Sequence, residues 1–234
     1  MKQNEILKVY PLSPLQEGIL FHSLLNEKTN LYFEQLALSI NNDLQIEKIE
    51  QAFNIIIDKF DIFRTLFIYK NIRRPRQVVL KKRPSDIKFQ NLANLTKEQQ
   101  IQYIESFKNQ DKKEGFDLSQ DPLIRLSVFR LDNLSYKLIL SYHHIIMDGW
   151  CLNIVLQDLF QTYQLLVNNK PLGLNKSYQY SDYINWIENQ DKEESLAYWS
   201  DYLQGYNQNT VISPNKLIHE EDEEHHEVTF ELNK

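Results

Sequence analysis

The sequence predicts an α/β fold in the α+β sandwich sense, a mixed sheet with helices packed on it, and three observations carry that expectation. Strand-like alternation at Leu36, Leu38 and Ile40 is followed by apolar residues at helical spacing, Ile46, Ile49, Phe53, Ile56, Ile57 and Phe60. Two long β-rich runs, LIRLSVFRL and SYKLILSYHH, flank the tight-turn pair Asp132-Asn133 and read as an antiparallel hairpin. The chain has 234 residues, 42% hydrophobic and 25% charged, a globular balance that can bury a sizeable core and is unlike disordered or collagen-like sequence.

Each element has a local reason. Ser13 can cap the free N–H groups of a first helix, Pro14 suits its first position, and Gln16 completes a capping box, so a helix is expected through Leu24 or Leu25. The strand and helix named above come next. TLFIY and RQVVL are short strands joined by a hairpin turn at Arg73 to Pro75, and a polar amphipathic helix is expected from Thr96 to Lys113. The long hairpin then delivers two histidines at the end of its second strand, and a helix from Trp150 to Val167 begins just after Asp148-Gly149. Pro171 and Gly173 mark a linker, after which Tyr180 to Gln190 and Glu193 to Leu203 read as aromatic-rich helices. An acidic stretch, HEEDEEHH, precedes an alternating segment, Val228, Phe230 and Leu232, which reads as a strand in need of a sheet.

Composition excludes several function classes. The net charge is −6, and the basic residues are scattered apart from one cluster at Arg73, Arg74, Arg76, Lys81, Lys82 and Arg83, so nucleic acid is not the expected partner. The single cysteine, Cys151, cannot form an internal disulfide, and the opening MKQNEILKVYPLS lacks the apolar stretch of a secretory signal. Apolar runs are all shorter than a membrane span. A cytoplasmic location and no membrane partner are expected.

The chemistry concentrates in His143-His144-Ile145-Ile146-Met147-Asp148-Gly149. Adjacent residues of a strand point to opposite faces, so the two imidazoles enter different environments and are poorly placed to share one metal. Supporting ligands at zinc spacing are missing, and His225-His226 lies in the acidic stretch, so no metal is expected. Cys151 sits at the start of an amphipathic helix, where a packing role is expected rather than a thiol nucleophile.

HHIIMDG resembles the HHxxxDG motif of the condensation domains of non-ribosomal peptide synthetases, whose fold is similar to chloramphenicol acetyltransferase. YPLSPLQEGILFHSLL, DKFDIFRTLF, HHIIMDGW and YSDYINW match successive segments of that family in order and spacing, with Tyr198-Trp199 beyond them. Two segments depart from the family pattern. Leu15 and Gly18 stand where many members carry Ala and Arg, and Lys59-Phe60-Asp61 stands for the usual Arg-His-Glu.

The resemblance implies a chloramphenicol acetyltransferase-like lobe over residues 1–175, with 176–234 as a helical hinge and the first strand of an incomplete second lobe. It implies an N-terminal half that is inactive alone. The implied reaction is acyl transfer: an acceptor aminoacyl thioester on one peptidyl carrier protein attacks a donor thioester on another. Phosphopantetheine belongs to those upstream and downstream carriers, no cofactor is bound by this chain, and an adjacent adenylation domain and the missing C-terminal lobe are the other implied partners. By motif position His144 is the active-site histidine and His143 points back into the fold. Asp148 would pair with Arg64, Gly149 would permit the turn and the close start of the next helix, and Trp186 and Trp199 would support the site. Two rivals are an epimerisation domain, which shares HHxxxDG but continues differently from Gly149-Trp150-Cys151-Leu152, and a non-catalytic carrier-docking or interface module.

Overall fold

Ser13 starts the first helix as its residue type demands: its Oγ accepts from the Gln16 N–H at 3.2 Å while Gln16 Oε1 accepts from the Ser13 N–H at 3.1 Å. The computed structural model describes residues 5–25, 30–85, 87–173 and 178–208. In chain order these form β1 (Ile6–Pro11), α1 (Pro14–Leu25), β2 (Phe33–Ile40), α2 (Ile46–Lys59), a 3-10 turn (Asp61–Arg64), β3 (Thr65–Ile68), β4 (Arg76–Leu80) and β5 (Lys88–Asn91). Then follow α3 (Lys97–Glu114), β6 (Ile124–Arg130), β7 (Tyr136–His143), α4 (Gly149–Val167), α5 (Tyr180–Glu188) and α6 (Lys192–Tyr202). The segment expected as a strand at 228–232 lies outside the described residues.

The strands form two sheets. One has the order β1-β4-β3, all antiparallel; the other has the order β2-β7-β6-β5, antiparallel except for the parallel β5–β6 pair. β7 is central and buried on both sides, which is why KLILSY is apolar almost without interruption. Leu138, Leu140 and Tyr142 face the core shared with Phe53 and Ile56 of α2 and Val155 and Leu159 of α4, whereas Ile139 packs with Ile104 of α3. The larger sheet is therefore covered by helices on both faces.

One buried polar cluster fastens α3 to that sheet. Gln35, Ser141 and Arg125 lie side by side across β2, β7 and β6, and Asp111, near the end of α3, reaches all three. Its Oδ2 accepts from Ser141 Oγ at 2.5 Å and Gln35 Nε2 at 3.1 Å, and its Oδ1 is 2.9 Å from Arg125 Nη2. The Arg125 guanidinium also lies 4.1 Å from the centre of the Phe116 ring. Lys59, where the related motif carries arginine, ties α2 to α4 through Asp158 at 2.7 Å.

The chain divides into two compact units, Met1–Gln190 and Asp191–Lys234. The division falls after Gln190 rather than after 175 because α5 is packed on the first unit: Ile184 is buried with Tyr10 and Val79, and Lys8 Nζ donates to Ser181 Oγ at 2.7 Å. In the second unit, Asp191 caps α6 by accepting from the N–H groups of Glu193 and Glu194. No helix among the described residues is long and apolar enough to cross a membrane.

Candidate active site

Strand alternation separates the two histidines as expected. His143, opposite Phe33 in the β2–β7 register, turns inward beside Phe116, with ring centres 6.4 Å apart, and is 7% exposed. Its Nδ1 accepts from the Ile145 N–H at 3.2 Å, which leaves any proton of the neutral ring on Nε2. His143 lines a cavity of about 490 Å³ together with Tyr32, Phe33, Tyr69, Lys113 and Phe116.

His144 leaves on the other side. Its N–H donates to the Tyr32 carbonyl at 2.9 Å, its ring stacks on Tyr32, and its Nδ1 lies 3.8 Å from Glu34 Oε1, beyond hydrogen-bonding distance. The side chain is 36% exposed although Nδ1 itself is covered, so the nitrogen open to solvent is Nε2. Glu34 was not singled out in the sequence, yet it carried a signal. It shares the apolar register of Leu36, Leu38 and Ile40, and an acidic residue on the core-facing side of a strand calls for a reason.

Burial first, and the neighbouring His144 second, hold the His143 pKa down at about 4, against an ordinary value of 6.5. Between pH 6.5 and 4 the unfolded chain therefore binds a proton that the folded chain refuses. The stability linked to His143 is complete above pH 6.5 and is lost as pH falls toward 4, by about 3 kcal/mol in all. His143→Asn, which keeps an acceptor near Ile145 but does not titrate, should flatten this part of the profile. Urea melts at pH 7 and pH 4.5 check it; an equal loss in both proteins would reject the account.

Asp148 does not pair with Arg64, contrary to expectation. It is the N-cap of α4, accepting from the Cys151 N–H at 3.0 Å, and hydrogen bonds from that N–H hold its carboxyl below the usual range. Arg64 is buried elsewhere. Its Nε donates to the Ile57 carbonyl at 3.2 Å, Nη2 to Asp58 at 3.3 Å, and Nη1 to the carbonyls of Leu80 and Lys81. Both assignments have a physical cause: a helix start offers free N–H groups to a carboxylate, while the end of α2 and the end of β4 offer free carbonyls to a guanidinium. Asp148→Ala should accordingly cost about 1 kcal/mol and Arg64→Leu about 2 to 3 kcal/mol. The two should add within about 0.5 kcal/mol in denaturant melts of the singles and the double, and a clear departure from additivity would restore the pair.

Gly149 also differs from expectation. It is the first residue of α4 without a positive φ, and a Cβ built there meets nothing within 4 Å, so neither a special turn nor a close approach requires glycine. Cys151 is exposed rather than packed, and burial of part of its thiol pushes its pKa up, which disfavours the thiolate. Trp186 is 59% exposed and stacks on Tyr183; Trp199 is 55% exposed and lies edge-on to Tyr198 and Tyr202. Among the described contacts of the first unit, Trp186 touches neither His143 nor His144.

Comparisons with known proteins point one way. The family model described as Condensation domain matches residues 6–234. The chain is 41% identical over 215 residues to gramicidin S synthase 2 of Brevibacillus brevis, covering 92% of this chain and 5% of that protein. It is 41% identical over 232 residues to surfactin synthase subunit 3 of Bacillus subtilis, covering 99% of this chain and 18% of that protein. Among solved structures it resembles the starter condensation domain of the rhizomide synthetase RzmA, with a TM-score of 0.75 and 19% identity over 84% of this chain and 50% of that one. It also resembles the first condensation domain of the CDA synthetase, with a TM-score of 0.72 and 15% identity over 85% of this chain and 50% of that one. At such low identity these structures establish the fold. The chain spans a small fraction of the curated synthases it matches and half of each solved domain.

Proposed function

The chain belongs to the condensation-domain family, and from that premise we propose that it supplies the histidine-bearing lobe of a domain that forms peptide bonds between thioesters on two carrier proteins. The acceptor amine attacks the donor thioester carbonyl, a C–N bond forms, the C–S bond breaks, and the amine proton leaves for the departing thiol. The observation that carries this reading is His144 itself. It stands at the end of β7 in an intact HHIIMDG motif, with a backbone tie to Tyr32 and Nε2 open to solvent, while His143 is turned inward.

His144 has modest work to do as a base. An α-amine with pKa ~7.7 is about one-sixth neutral at pH 7, so freeing the rest costs roughly 1 kcal/mol. Holding two thioesters in reacting geometry contributes up to ~7 to 11 kcal/mol, so positioning dominates. In this reading Nε2 of His144 orients the amine and takes or passes its proton as the tetrahedral intermediate forms.

The phosphopantetheine arms of the two carriers bring the substrates, an adenylation domain loads the acceptor, and a second lobe completes the reaction channel. The test is a condensation assay in the complete two-lobed domain, with one donor-loaded and one acceptor-loaded carrier and mass spectrometry of the carrier-bound product. Dipeptide on the acceptor carrier supports the proposal. Hydrolysed donor with no amide product, or inverted α-carbon configuration without transfer, overturns it.

A further inference from the structure

The turn that carries His144 is pinned at three successive peptides. The His144 N–H is held by the Tyr32 carbonyl, the Ile145 N–H by His143 Nδ1 at 3.2 Å, and the Ile145 carbonyl by Gln16 Nε2 at 3.1 Å. Since each peptide is planar, the first two ties fix the two soft dihedrals of His144, and the third holds the next peptide, beyond Ile145, and so anchors the turn against α1. The third tie reaches the turn from α1, distant in sequence, and its donor is a buried amide.

That amide is locked in turn. Gln16 and Gln77 are 3% and 0% exposed and face each other amide to amide, with Gln77 Nε2 donating to Gln16 Oε1 at 2.7 Å and Gln16 Nε2 donating to Gln77 Oε1 at 3.3 Å. Gln16 Oε1 also accepts from the Ser13 N–H at 3.1 Å, and Gln77 Nε2 also donates to the Pro11 carbonyl at 3.0 Å. Both donors and both acceptor sites of the Gln16 amide are thereby used, so it has one orientation available. A helix cap alone needs only the bond to Ser13. The three others reach Gln77 of sheet β1-β4-β3, twice, and the motif turn, so the arrangement is more than the start of α1.

We infer that Gln16, held by Gln77, is a positioning residue for His144, acting through the Ile145 carbonyl. The inference rests on the proposed role of His144. Glutamate at position 16 separates capping from positioning: it can still accept from the Ser13 N–H and from Gln77, but when ionised it presents no donor to the Ile145 carbonyl. Methionine at the same position keeps the length and removes every polar contact.

The experiment compares wild type, Gln16→Glu, Gln16→Met and His144→Ala. Steady-state condensation is measured in the complete two-lobed domain, and ring NMR signals of His144 are assigned in this chain. Expected for Gln16→Glu and Gln16→Met are shifted or broadened His144 ring signals and a kcat reduced at least about ten-fold with KM within about two-fold, as a displacement near 1 Å would produce. If both variants keep kcat within about two-fold, or leave the His144 ring signals in place while only lowering the melting temperature, Gln16 is a helix cap and the inference fails. Should neither variant fold, the wild-type protein still decides. The Gln16 side-chain amide must exchange at least about 10²-fold more slowly than that of exposed Gln102, and exchange at the same rate would overturn the inference. Full activity of His144→Ala would instead defeat the proposed function, whatever Gln16 does.

Discussion

His144→Ala in the complete two-lobed domain is expected to lower peptide-bond formation by about 10²- to 10⁴-fold, with circular dichroism and melting temperature close to wild type. The fold should survive because the side chain is 36% exposed, its Nδ1 makes no hydrogen bond, and the His144 backbone tie to Tyr32 does not depend on the imidazole. The rate should fall because no other described side chain near the end of β7 offers an accessible neutral base. His143 is buried with its Nδ1 committed to Ile145, Glu34 faces the covered side of the His144 ring, and the Cys151 thiol is pushed up by burial. KM for both loaded carriers should move little, because an interaction made only in the transition state lowers kcat and leaves KM unchanged. Undiminished product from the alanine protein would remove His144 from the mechanism.

The largest effect on stability is expected at Asp111. Asp111→Ala removes an anion that is 3% exposed and leaves Arg125, already lacking a partner at Nε, with a stranded charge against the aromatic ring of Phe116. Breaking such a pair from one side typically costs ~3 to 5 kcal/mol, a large part of a total of roughly 5 to 15 kcal/mol. Arg125→Met should cost less, because Arg125 keeps some water contact at 21% exposure and Asp111 retains Ser141 and Gln35 as donors. The double change should lose clearly less than the sum, by ~1 kcal/mol or more, because neither charge is then left alone. Urea melts of the four proteins measure this. Single losses below about 1 kcal/mol, or strict additivity, would show that the pair contributes little beyond packing. A loosened α3 end would also free Phe116 beside His143, so the Asp111→Ala protein should show altered His143 ring signals.

The catalytic candidate was legible because its information is local. A strand sends neighbouring side chains to opposite faces, and His143 and His144 do separate, one into the fold and one outward. The capping box at Ser13 and Gln16, the hairpin at Asp132-Asn133 and the α4 boundary could all be read over a few residues. Two strands could not. β1 presents Leu7 and Val9 outward at 48% and 54% exposure, which hides its alternation, and β5 has every residue exposed along a sheet edge. The Asp148–Arg64 expectation failed for a related reason: two opposite charges in matched motifs say nothing about which free backbone groups lie nearer.

What the sequence by itself determined about this protein is the order and type of most elements, the family, and which histidine faces out. The elements follow from periodicities and short motifs whose physical causes act within a turn or a strand, and the family and the choice of His144 follow from the ordered resemblance of the motifs. Only the tertiary structure decided the long-range partners: Gln16 with Gln77 and Ile145, Asp111 with Arg125, Ser141 and Gln35, and α5 on the first compact unit. Each joins residues at least 14 positions apart, and each satisfies buried polar groups or apolar surface. Many pairings of the same residue types would satisfy those demands equally well on paper, and only the packing of sheets and helices brings one set within hydrogen-bonding distance.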